Sequence, residues 1–151
     1  MMERRWKDLP ADSLMRLGRR YYTRNAPEIG IALLRDAAAR GNADALAILG
    51  DAYSRANGVD YDHDRSVACF LEAALRGQPS AQFFVAEMLD VFPDALRGET
   101  ESGVIRSFYG DSPIPADIHT AAYWYALASA RGVSDARSAT RHLFPGDQGR
   151  R

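Results

Sequence analysis

A single cysteine, Cys69, among 151 residues excludes an intrachain disulfide and any cysteine-built metal cluster. Val, Ile and Thr are scarce too, so the β-branched residues that strands favour are thinly supplied. No run of about 18 apolar residues exists, the length a membrane-crossing helix needs. The first ten residues are charged with no apolar stretch behind them, and we expect a soluble, cytoplasmic protein. Net charge is only −1, too little to commit the chain to nucleic acid. Catalytic signatures are also missing: there is no Gly-x-Ser-x-Gly, phosphate loop or His-Glu-x-x-His. The three histidines, His63, His119 and His142, lie far apart and share no metal-ligand spacing.

What the chain has in excess is alanine, 25 residues, and arginine, 18 against one lysine. The alanine bias favours helices that pack closely through small side chains. The arginine bias fits either GC-rich coding or selection for a carboxylate-binding fork. Apolar residues at 46% and charged residues at 26% describe a globular domain able to bury a core.

The alanines are ordered. Ala-x-x-x-Gly-x-x-x-Ala occurs three times, around Gly41, Gly77 and Gly132, each glycine preceded by an arginine (Arg40, Arg76, Arg131). The spacings are 36 and then 55 residues, a 19-residue excess before the third copy. Self-similarity at that period implies stacked helical hairpins. Apolar residues recur at three and four positions, as in Leu46, Leu49 and Tyr53, and no segment sustains a period of two. The expected fold is all-α, with seven helices near Ala11–Thr23, Pro27–Arg40, Ala43–Arg55, Asp64–Arg76, Ser80–Phe92, Asp117–Arg131 and Ser134–Leu143. Each signature glycine is read as a left-handed helix stop, and each flanking alanine as a helix-crossing point. We expect one repeat domain over residues 10–144 between tails 1–9 and 145–151. Glycines and prolines interrupt the segment 94–115, while Val104, Ile105, Phe108 and Tyr109 imply that it folds back, with a short helix or strand near Val104 to Phe108.

From Leu49 the chain reads Leu-Gly-Asp-Ala-Tyr, then Asn-Gly-Val-Asp-Tyr-Asp, then a helix ending Ala-Ala-Leu-Arg-Gly. This resembles the Sel1-like repeat, a relative of the tetratricopeptide repeat. Gly50, Tyr53, Gly58, Val59, Asp62, Ala73, Ala74, Gly77 and Ala81 fall in register; Ile114, Asp117, Ala121, Trp124, Ala128, Gly132 and Ala136 carry a further unit. Leu17, Gly18 and Tyr21, with Ala37, Ala38, Gly41 and Ala45, mark a first one. Ser66 departs from the usual alanine, Ala86 from an expected glycine, and Cys69 from the large aromatic that Trp124 supplies. The resemblance implies about three units in a right-handed superhelical array of antiparallel helix pairs, with one inserted loop and the first helix of each pair lining a concave face. It also implies a scaffold or adaptor, as in many bacterial members; those stapled by cysteine pairs are excluded.

Asp60-Tyr-Asp62-His-Asp64 looks like the start of a calcium loop, but Arg65 and Leu71 stand where glycine and glutamate are required. The alternative reading is that Asp62 and Asp64 cap the following helix, and Asp117 the helix after it. The aromatics, Tyr21 among them, fall mostly at core spacings. In the runs Phe83-Phe84 and Tyr123-Trp124-Tyr125, one member each should face outward, with Phe83 or Phe84 the best anchor. Basic residues gather in the first helix, and acids in 44–64 and 87–101.

The expected function is therefore non-catalytic binding of another protein or peptide. Candidate contacts, chosen by helix face, are Arg16, Arg20, Asp44, Ile48, Asp51, Arg55, Phe83, Glu87 and Asp90, with Arg97, Arg106 and Tyr109 on the insertion as a lid or rim. No cofactor, metal, nucleic acid or membrane partner is expected. The alternatives are an immunity or chaperone-like partner of a secreted bacterial effector, self-association through Phe144 or the last helix, and an enzyme site under 94–115. A buried acid with a raised pKa there would favour the enzyme.

Overall fold

A computed structural model describes residues 6–98 and 104–143, which form two compact units, Met1–Ala73 and Ala74–Arg151. Among the described residues there are eight α-helices, one 3-10 turn and no strand. None of these helices is long and apolar enough to cross a membrane.

In the first unit α1 (Ala11–Thr23), α2 (Pro27–Ala39), α3 (Ala43–Arg55) and the greater part of α4 (His63–Leu75) follow the 3.6-residue pattern. Pro27 occupies the first turn of α2, where its missing N–H costs no hydrogen bond. Asn42 caps α3 by accepting the Ala45 N–H at 2.9 Å, and its amide donates to Asp12 Oδ1 at 2.8 Å. Leu14, Leu33, Leu34, Ala37, Leu49 and Tyr53 build the core. α1 and α2 cross at two glycines: a Cβ on Gly30 would meet Tyr22 N at 2.6 Å and Gly18 O at 2.7 Å, so only hydrogen fits. Ser66, only 2% exposed, donates its hydroxyl to Gly50 O at 2.7 Å, tying α4 to α3; this is what the departure from alanine supplies. Asp62 caps α4 by accepting the Arg65 N–H at 3.0 Å, and Asp64 lies in its first turn.

The second unit begins with the end of α4 and contains α5 (Pro79–Val91), α6 (Val104–Tyr109), the 3-10 turn Ala116–His119, α7 (Ala121–Ala130) and α8 (Ser134–Leu143). Its core holds Val85, Leu96, Ile105, Ile118 and Trp124, so the described ends of the 94–115 segment do fold back. The short element near 104 is a helix.

The signature performs as its chemistry requires. Gly41, Gly77 and Gly132 have φ of 90°, 93° and 92°, the left-handed region where a Cβ is strained. All six flanking alanines, Ala37, Ala45, Ala73, Ala81, Ala128 and Ala136, are fully buried.

Three expectations are corrected. The helix expected over Asp117–Arg131 starts only at Ala121, and Thr120 rather than Asp117 is its cap, accepting the Tyr123 N–H at 3.4 Å. Pro113 and Pro115 hold the approach out of the helical region, and the Ile118 carbonyl is turned to accept the Trp124 indole N–H at 2.6 Å. Neither Phe83 nor Phe84 faces outward: both are half-buried, Phe83 with its ring 5.9 Å from that of Tyr125. In the run 123–125, Trp124 and Tyr125 are buried and Tyr123 is half-buried, because α7 has apolar neighbours on most of its circumference. Phe144, the expected self-association anchor, lies outside the described residues.

Candidate functional site

Of the twelve candidate contacts, Arg16, Arg20, Asp44, Ile48, Asp51 and Arg55 fall in the first unit, and the other six in the second. Asp51 and Arg55 are one turn apart on α3 and pair, Arg55 Nε donating to Asp51 Oδ1 at 2.7 Å. Tyr22 donates its hydroxyl to the other oxygen, Oδ2, at 2.8 Å. Burial pushes the Tyr22 phenol above its ordinary pKa, and its hydrogen bond to Asp51 adds to this. Asp51 thus accepts at both oxygens, while the Arg55 side chain remains largely exposed. Asp44 is half-buried, and Ile48 packs against the core.

The basic residues of α1 are placed differently. Arg16, Arg19, Arg20 and Arg24 are all exposed, and none makes a side-chain hydrogen bond or ion pair among the described residues. Arg20 and Arg24 flank a recess of about 410 Å³, completed by Leu17, Tyr21, Asn25 and Ala26. Tyr21, expected in the core, is 37% exposed and lines this recess. Leu17, Arg20, Tyr21 and Arg24 are spaced three, four and seven residues apart, one face of a helix. That spacing was present in the sequence as a signal, although of the four only Arg20 stood out as a contact residue.

In the second unit Glu87 and Asp90 are exposed on α5. The Tyr125 phenol is raised first by burial and then by the nearby charges of Asp90 and Glu87. Arg97 pairs with Asp94 at 3.2 Å on the surface, worth little in water. Arg106 is exposed, whereas Tyr109 is half-buried and its phenol is raised by burial. The arginines of the repeated signature differ: Arg40 donates to the backbone carbonyls of Leu9 and Lys7, while the Arg131 guanidinium lies over the turn at Gly77.

Among the described residues the only buried polar ones are Ser66 and Gln82, and no group of three His, Cys, Asp or Glu side chains is placed to hold a metal. Cys69 is half-buried, and burial followed by the neighbouring Glu72 charge pushes its thiol up to about 11. Thiol-specific labelling of the native protein should therefore be slow at neutral pH and accelerate only as pH approaches about 11. The unfolded thiol ionises near its ordinary 9.0, so this group's contribution to stability is intact below that pH and is lost as pH rises to about 11. Rapid labelling at pH 7 without unfolding would contradict the burial.

The sequence profile of the family described as Sel1 repeat matches residues 43–78 and 102–133. These two segments, 68 of the 151 residues, are similar to Sel1 repeats. The first spans α3, α4 and the Gly77 turn; the second starts inside the 94–115 segment and takes in α6, the 3-10 turn and α7. Tyr109 stands 23 residues before Gly132, much as Tyr53 stands 24 before Gly77. The chain is also similar to the crystal structure of a Sel1 repeat protein from Oxalobacter formigenes, with a TM-score of 0.60 and 24% identity over 87% of this chain and 88% of that one. A protective antigen of uropathogenic Escherichia coli with an SLR fold matches at a TM-score of 0.51 and 20% identity, over 91% of this chain but 34% of its own length. At these identities the likeness is one of fold, a Sel1-type helical solenoid. Among curated proteins, no sequence matches. Sel1 repeats typically serve as non-enzymatic scaffolds that mediate protein–protein interactions.

Proposed function

We propose that this chain is a non-catalytic interaction module that docks a partner protein on α1, in the recess between Arg20 and Arg24. The carrying observation is the set of four exposed arginines without internal partners beside an apolar floor of Leu17 and Tyr21. Arginine and tyrosine dominate binding hot spots because they combine large contact area with directed hydrogen bonds. The matching occupant is a segment with acidic side chains around an apolar one. The arginines draw it in and fix its orientation, and the floor supplies desolvated contact.

The test is the affinity of a purified partner for the wild type, Arg20→Glu/Arg24→Glu and the control Arg137→Glu, an exposed site on α8. The double variant should bind roughly 30-fold more weakly or worse, the loss of about 2 kcal/mol expected of a hot spot. The control should match the wild type, and the wild-type affinity should fall as salt rises. Equal binding by all three proteins would remove the assignment.

A further inference from the structure

In the second unit α5 ends on an exposed apolar pair. Val91 is 69% exposed and Phe92 64%, and two adjacent side chains of this size gain from being covered. Pro93 stops the helix there, and the Phe92 N–H closes the last turn by donating to Met88 O at 2.8 Å. Acids surround the pair. Glu87, Asp90 and Val91 are spaced three and four residues apart on one face of α5, and Asp94 follows Pro93. All three acids are exposed. Asp94 holds Arg97 at 3.2 Å, a surface pair that is worth little in water and is readily exchanged.

The α1 recess presents the inverse arrangement. Leu17 and Tyr21 form an apolar floor beside Arg20 and Arg24, within a volume of about 410 Å³ that has room for a phenyl ring. Guanidinium groups stack on aromatic faces as well as pairing with carboxylates, so the two arginines suit both Phe92 and the acids beside it. Pro93 already restricts the backbone next to Phe92, which lowers the entropy lost on docking. The net charge of −1 sets up no general repulsion between two copies of the chain.

We propose that the α1 recess of one copy receives the Val91–Phe92 end of α5 from a second copy. Phe92 enters beside Arg20 and Arg24, and Asp90 and Asp94 pair with their guanidinium groups. The inference rests on the recess being a docking site and names a segment of this same chain as an occupant. The contact is small, so association depends on concentration, and a partner protein that uses the recess competes with it. Because recess and segment are different patches, the contact is heterologous at each pairing.

Sedimentation equilibrium of the full chain over a range of concentrations tests this with the wild type, Arg20→Glu/Arg24→Glu and Val91→Ser/Phe92→Ser. The average mass of the wild type should rise with concentration and fall back as salt is raised. Each double variant should dissociate at least about tenfold more readily. An equimolar mixture of the two variants should associate again, because one supplies an intact segment and the other an intact recess. The substituted side chains are exposed, and the unfolding midpoint of each variant establishes that it is folded. The inference is overturned if the wild type stays monomeric at millimolar concentration, if either variant associates as the wild type does, or if the mixture stays monomeric. A monomeric wild type that still loses its purified partner on Arg20→Glu/Arg24→Glu would reject the self-pairing alone and leave the docking site standing.

Discussion

Trp124→Ala should destabilise the protein by about 3–5 kcal/mol, the usual range for deleting a large buried aromatic. Trp124 is 1% exposed, the largest fully buried side chain among the described residues, and its indole N–H donates to Ile118 O at 2.6 Å. Truncation empties the core of the second unit and strands the carbonyl that fixes where the 3-10 turn ends and α7 begins. Trp124→Phe keeps most of the apolar volume and loses the hydrogen bond, so its cost should be nearer 1–2 kcal/mol, roughly that of one unmade bond. Denaturant unfolding measures both. Equal losses in the two variants would mean that the indole N–H, rather than packing, carries the effect.

Gly30→Ala is the second large effect, about 2–3 kcal/mol, even though alanine is intrinsically the better helix former by roughly 1 kcal/mol. The added methyl would meet backbone on every side, Tyr22 N, Gly18 O and Tyr22 Cα, all within 2.9 Å. Backbone cannot rotate away as a side chain can, so α1 and α2 must separate along their contact. Gly18→Ala should cost less, because its nearest neighbour is Leu34 Cγ at 2.8 Å, which another rotamer can relieve. A Gly30→Ala protein as stable as the wild type would refute the close crossing. For a chain of this size the expected drop in melting temperature is about 5–10 °C.

These two residues also show how far the sequence could be read. The periodic pattern gave α1 and α3 to the residue, and the repeated Gly and Ala positions were legible because a left-handed stop and a close crossing each admit few residue types. Gly30 was not legible: it lies in the middle of a helix, and only the partner helix reveals why it cannot carry a methyl group. The start of α7 was misplaced because Asp117 is a plausible cap, and nothing local shows that the Ile118 carbonyl is needed by Trp124. Candidate contacts chosen by helix face differ in their surroundings for a similar reason. Asp51 and Arg55 satisfy each other, Phe83 packs on Tyr125, and Arg20 remains unpaired.

The repeated glycines and alanines thus provide helix crossings and turns, and the proposed recognition belongs to the exposed arginines of α1 and the recess that they flank. Amide hydrogen exchange on the protein with and without its bound partner tests that division most directly. The account predicts added protection concentrated on residues 16–26, the exposed face of α1 and its C-terminal turn, with the glycine turns at 41 and 132 unchanged. Protection confined to other segments, with 16–26 exchanging as in the free protein, would contradict it.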